Sequence, residues 1–125
     1  MPDVKYDDPE TAERLSGVRD YPAVVKKTLK EMYRQVGELK LDERGIALRG
    51  LIVRHLVLPG NLAGTREIME FIARELSPKV FVNLMDQYRP MHLARRYPPL
   101  EKRVSPEEYD RALTWAEEAG IELRE

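Results

Sequence analysis

Two short runs of almost continuous apolar sequence constrain this chain more than any other feature. Leu51-Ile52-Val53-Arg54-His55-Leu56-Val57-Leu58 and Val80-Phe81-Val82-Asn83-Leu84-Met85 are apolar at both odd and even positions. Side chains alternate along a strand, so such runs are expected to be covered on both faces, the pattern of a parallel sheet. Between them, Ile68, Ile72 and Leu76 fall on one helical face, with Met69 and Phe71 beside them. Pro59-Gly60 ends the first run, Thr65 reads as the helix cap, and Ser77-Pro78 precedes the second run. Strand, helix, strand in this order predicts a right-handed βαβ unit.

The flanking sequence extends the alternation. Asp8-Pro9 opens a short helix that stops at Ser16-Gly17. A longer helix begins at Tyr21-Pro22, carries Val25, Leu29, Met32 and Val36 as one stripe, and stops at Gly37. Leu39–Leu41 and Ile46–Leu58 follow, separated by the polar turn Asp42-Glu43-Arg44-Gly45. After the second strand, Gln87–Val104 is rich in proline and arginine and reads as a long irregular loop, a length often tied to function. Ser105-Pro106-Glu107-Glu108 is a capping box for a helix with Tyr109, Ala112, Leu113 and Ala116 inward. Ile121–Leu123 is a candidate last strand. The expected fold class is α/β, built of parallel βα units in a single domain, 1–125.

Composition excludes several function classes. Twenty-one Lys and Arg against 22 Asp and Glu leave a net charge of -1, so no nucleic acid or anionic membrane partner is called for. No apolar run approaches the ~20 residues of a membrane span, and no charged start followed by an apolar stretch marks a signal peptide. A cytoplasmic location is expected. The chain has no cysteine, which removes thiolate metal sites, iron–sulfur ligation and a Cys nucleophile from these residues. With two histidines and no cysteine, no histidine metal site is expected. No Gly-x-Ser-x-Gly elbow or Walker loop is present, and no residue is assigned a catalytic role.

In parallel α/β sheets, ligands gather at the carboxyl ends of the strands. Here that rule selects Asp3–Tyr6, Leu58–Gly64 and Asp86–Tyr88. Arg54 interrupts an apolar strand, and a buried guanidinium needs a partner. It reads either as an anion-binding group inside a sheet or barrel, or as half of an ion pair with a neighbouring strand or helix. His55 points to the opposite face and is expected to be hydrogen-bonded under a covering helix. Asn83 is either a satisfied amide or a ligand contact. Asp3 and Lys5 share a face if extended, as a ligand-facing pair or a solvated terminus. Asp86-Gln87-Tyr88-Arg89 reads as recognition at a strand end or as ordinary loop chemistry. Arg95, Arg96, Lys102 and Arg103 make the long loop basic, a solvated surface or a polyanion contact.

Taken together, Pro2-Asp3-Val4-Lys5-Tyr6, Arg14-Leu15-Ser16-Gly17, Val53-Arg54-His55-Leu56-Val57-Leu58-Pro59-Gly60, Asn83-Leu84-Met85-Asp86-Gln87-Tyr88-Arg89-Pro90, Tyr97-Pro98 and the helix of Tyr109 have a specific likeness. The chain resembles the C-terminal half of radical S-adenosylmethionine proteins related to pyruvate formate-lyase activating enzyme. The resemblance implies a partial, here half, (β/α) barrel. Complete members hold a [4Fe–4S] cluster through a Cys-x-x-x-Cys-x-x-Cys loop and cleave S-adenosylmethionine to a 5′-deoxyadenosyl radical. In activating enzymes that radical takes a hydrogen atom from a glycine of a partner, a glycyl radical enzyme.

By the same resemblance, Asp3 and Lys5 fall near the cofactor's charged end and Arg54 faces the barrel interior. Asn83, Gln87 and Tyr88 fall near its adenine. The cluster cysteines are expected upstream, so this chain alone is expected to be inactive. It is expected to pair with a missing N-terminal half or to self-associate through exposed barrel edges. The contrasting expectation is a small α/β binding or interaction module that kept the scaffold without the chemistry.

Overall fold

A computed structural model describes residues 1–123. The elements run β1 (Asp3–Val4), α1 (Pro9–Ser16), α2 (Tyr21–Val36), β2 (Lys40–Leu41), β3 (Ala47–Arg49), β4 (Ile52–Leu56), α3 (Thr65–Phe71), β5 (Phe81–Met85) and α4 (Pro106–Glu118). Short 3₁₀ turns at Pro59–Asn61 and Ala94–Arg96 lie in the loops after β4 and β5. β1, β4 and β5 form a parallel sheet in the order β1-β4-β5. The fold is α/β, as the two apolar runs require.

Local chemistry sets the helix limits. Asp8 caps α1 by accepting the Thr11 N–H at 2.9 Å, and Gly17 closes it in the left-handed conformation at φ 72°. Ser105 and Glu108 make the full capping box at the start of α4. The last carbonyls of α2 are met from another element: Arg49 donates through Nε to the Val36 carbonyl at 3.2 Å and through Nη2 to that of Gln35 at 3.0 Å.

The core lies on one side of the sheet. Val4, Val53, Val82 and Leu84 pack with Leu29 of α2, Ile68 and Met69 of α3, and Ala112 and Ala116 of α4. The stripe Val25, Met32 and Val36 of α2 joins the same cluster. Tyr109 of α4 donates its hydroxyl to the Leu84 carbonyl at 2.9 Å, fixing that helix to β5.

Several expectations change. The segment Ile46–Leu58 is not one strand, and its apolar part is not covered on both sides. It breaks at Gly50, where φ is 117° and an added Cβ would collide with the Glu38 carbonyl. Residues before the break pair back as the antiparallel β2–β3 hairpin, and the Arg49 side chain at its end caps α2. Thr65 is not the cap of α3: Gly64 holds that position, and Thr65 is buried. The helix becomes a π-helical turn over Ile72–Leu76. Ile121–Leu123 yields one parallel bridge, Leu123 to Val82, rather than a strand. No helix among the described residues is long and apolar enough to cross a membrane.

Candidate functional site

The second face of the sheet stays outside the core. On β4, Ile52, Arg54 and Leu56 point to it, and on β5, Phe81, Asn83 and Met85. All are half-buried except Asn83, which is exposed. Alternation put these residues in the right phase, but the covering layer expected from their apolarity is absent among the described residues. Asn83 is therefore not an amide enclosed in a core, and Arg54 is not a fully buried guanidinium.

The parallel register places Asp3, Arg54 and Asn83 in one row across β1, β4 and β5. Arg54 Nε lies 3.4 Å from Asp3 Oδ1, and Lys5 Nζ lies 3.1 Å from Asp3 Oδ2. The Arg54 Nη2 group also approaches the Met85 sulfur at 3.9 Å. One carboxylate thus serves two cations, leaving an excess positive charge on the open face. Arg54 and Asp3 are each about one-third exposed, at 35% and 37%, so water weakens their attraction and keeps both reachable. The ion-pair reading of Arg54 is realised. The first residues are ordered: the Pro2 carbonyl accepts the Arg54 N–H at 2.9 Å.

Behind this row, His55 points into the core and is fully buried. Its Nδ1 lies 2.7 Å from the Val4 carbonyl and its Nε2 lies 2.9 Å from Thr65 Oγ1. A carbonyl only accepts, so Nδ1 carries the proton and Nε2 accepts from the threonine hydroxyl. Burial pulls the imidazole down to about 4, against the opposing effect of the Val4 hydrogen bond. His55 is a neutral tie between β1 and α3, the structural role expected for it.

A cleft opens at the carboxyl ends of the strands. Tyr6, Leu15, Tyr88, Leu93, Tyr97 and Leu100 line a space of about 270 Å³. It adjoins a second space of about 470 Å³ whose walls include Pro90, Arg95 and Glu101, with Met91, His92 and Ala94 shared between the two. Tyr88 donates to the Leu100 carbonyl at 2.7 Å, which orders the long loop, and burial raises its phenol. Tyr6 meets Tyr21 edge to face at 5.9 Å and its hydroxyl lies 3.0 Å from Ser16 Oγ. The Tyr21 hydroxyl accepts the Lys5 N–H at 2.9 Å and donates to the Asp3 carbonyl at 3.3 Å. Burial is the main cause raising the Tyr21 phenol.

The loop after β4 is held from the far side. Glu108 accepts the Gly60 N–H at 2.7 Å with the carboxylate oxygen its capping box leaves free. These hydrogen bonds, chiefly the one from Ser105, lower the Glu108 carboxyl. An added Cβ at Gly60 would stand 2.5 Å from Pro99 Cγ, so the long loop packs directly on that glycine.

Of the residues selected from the sequence, Asp3, Lys5 and Arg54 come together and Asn83 joins their row. Tyr88 lines the cleft. Gln87 is exposed on the loop after β5 and does not line it. Tyr6 lies at the end of the selected segment Asp3–Tyr6 but was not singled out, and Tyr97 was missed as a cleft wall; its signal was an aromatic residue deep in the long loop. Among the described residues, no group of three or more His, Asp or Glu side chains is placed to hold a metal ion.

The chain is 34% identical, over 124 residues, to an uncharacterized protein of Methanocaldococcus jannaschii. That alignment covers 98% of this chain and 32% of the relative, so the chain spans about a third of the length of the curated relative it matches. No protein-family model matches the sequence. No solved structure matches it either.

Proposed function

We propose that this chain is the C-terminal portion of a radical S-adenosylmethionine protein related to pyruvate formate-lyase activating enzyme, forming half of a partial (β/α) barrel. The observation that carries the reading is the row Asp3–Arg54–Asn83 on a parallel sheet whose helices lie on the other side. A barrel interior has that character: charged ligand contacts among half-buried apolar residues, with helices outside. The far longer relative is consistent with a larger whole.

A [4Fe–4S] cluster finds no thiolate in this chain, so its ligands would come from outside these 125 residues. The residues do suit the amino-acid end of S-adenosylmethionine. Lys5 and Arg54 offer two cations to a carboxylate, and Asp3 offers an acceptor to an ammonium. Asn83, Gln87 and Tyr88 belong to the adenine side. In a complete enzyme, S-adenosylmethionine held by these residues would supply a 5′-deoxyadenosyl radical, with a glycyl radical enzyme as the candidate partner. The contribution of this chain is to bind and orient. A cytoplasmic location belongs to the same reading.

Calorimetric titration of S-adenosylmethionine into the chain and into Arg54→Ala tests it. Weak binding, reduced roughly tenfold or about 1.4 kcal/mol in the variant, is expected. Equal affinity in both would remove Arg54 from the site. Anaerobic iron–sulfide reconstitution should leave the isolated chain without cluster absorbance or cofactor cleavage; turnover would overturn the assignment. A second reading, a small α/β binding module, draws on the tyrosine-lined cleft, which this chain builds unaided.

A further inference from the structure

The loop after β5 carries a local excess of positive charge. Arg89, Arg95, Arg96, Lys102 and Arg103 are all exposed, against only Asp86 and Glu101 in the same stretch. None of the five forms an ion pair with a carboxylate among the described residues. Cations elsewhere commonly do, as in Arg19–Glu13, Lys26–Asp7, Lys30–Glu75 and Arg66–Glu70. The net charge of -1 shows that this excess is local. The segment also exposes large apolar side chains, Met91 at 74% and Leu93 at 40%. Both line the tyrosine cleft, and Arg95 lines the adjoining space. Apolar surface and the unpaired Arg95 guanidinium therefore meet along one groove, with Arg89 and Arg96 exposed next to its lining residues in the sequence.

We propose that this groove binds an acidic peptide segment through a single bulky apolar anchor. The anchor enters the cleft of Tyr6, Tyr88, Tyr97, Leu15, Leu93 and Leu100, and flanking carboxylates meet Arg89, Arg95 and Arg96. Three arguments favour this occupant. Guanidinium groups match carboxylates in paired, two-point hydrogen bonds. An apolar anchor with a charged rim is the usual anatomy of a peptide interface. The aliphatic walls Leu15, Met91, Leu93 and Leu100 interrupt the aromatic platform that stacked bases need, which disfavours single-stranded nucleic acid. The groove shares Tyr88 with the proposed cofactor site, but the inference stands on the groove's own charge and shape and does not depend on radical chemistry.

Fluorescence anisotropy with the full chain tests it, using a labelled Glu-Asp-Glu-Phe-Glu-Asp-Glu peptide. Its comparators have every acid replaced by its amide, or the Phe replaced by Gly, and a short oligothymidylate is the nucleic-acid arm. The acidic Phe peptide should bind, and the amide peptide should bind at least about tenfold more weakly. The double variant R95E/R96E, which should fold normally because both positions are exposed, should lose about tenfold for the acidic peptide, and added salt should weaken wild-type binding. Leu93→Ser should weaken the Phe peptide and spare the Gly peptide. Equal binding of acidic and amide peptides, an unchanged R95E/R96E, tighter binding of oligothymidylate, or no binding of the acidic Phe peptide would each overturn the proposal.

Discussion

His55 shows how one side chain links acidity to stability. The folded chain holds the imidazole neutral down to about 4, while an unfolded histidine protonates near 6.5. Below pH 6.5 the unfolded chain therefore takes up a proton that the folded chain refuses. The stabilisation is complete above that pH and is lost as pH falls toward 4, by about 3 kcal/mol. Urea unfolding at pH 7, 6 and 5 measures it: the onset should precede ordinary carboxylate titration, and His55→Gln should flatten the profile in this window. Gly50 makes a different residue-scale case. At φ 117°, with the Glu38 carbonyl against the missing Cβ, Gly50→Ala should cost more than about 2 kcal/mol. Gly17→Ala, at φ 72° with open space around it, should cost about 1 kcal/mol. Thermal unfolding of the pair separates backbone collision from left-handed strain alone.

At the scale of elements, the helices were the most legible part of the sequence. Asp8-Pro9, the stripe from Val25 to Val36, and Ser105 with Glu108 each encode a boundary or face within a few neighbouring residues, and each is present in the fold. What stayed hidden depends on contacts between distant residues. Nothing near Arg49 in the sequence says that it caps α2, and nothing local says that Gly50 packs against Glu38 and breaks the segment Ile46–Leu58 there. Glu108 has the same double character. Its capping box was legible, whereas its hold on Gly60 across the molecule was not. Ser105→Ala should cost about 1 kcal/mol and shift the thermal midpoint downward. Glu108→Ala should cost more, because it also releases the loop after β4, and hydrogen exchange at Gly60 should rise only in that second variant.

For the whole molecule, the open sheet face dominates. The row Asp3–Arg54–Asn83 could not be read from any one segment, because it forms only when three strands align in register. Its apolar neighbours Ile52, Leu56, Phe81 and Met85 looked like core in the sequence and are only half-buried. Such a surface favours association. Size-exclusion chromatography with light scattering should show concentration-dependent self-association of the isolated chain, and Phe81→Glu should suppress it. A monomer at high concentration would count against a face that needs covering. The packing of Pro99 on Gly60 carries a further consequence for the groove. Together with the Tyr88 hydroxyl on the Leu100 carbonyl, it clamps the long loop in the folded chain. The disorder lost in shaping the groove is then charged to folding, not to ligand capture, so whatever docks there meets a cast mould and should arrive without a slow closing step.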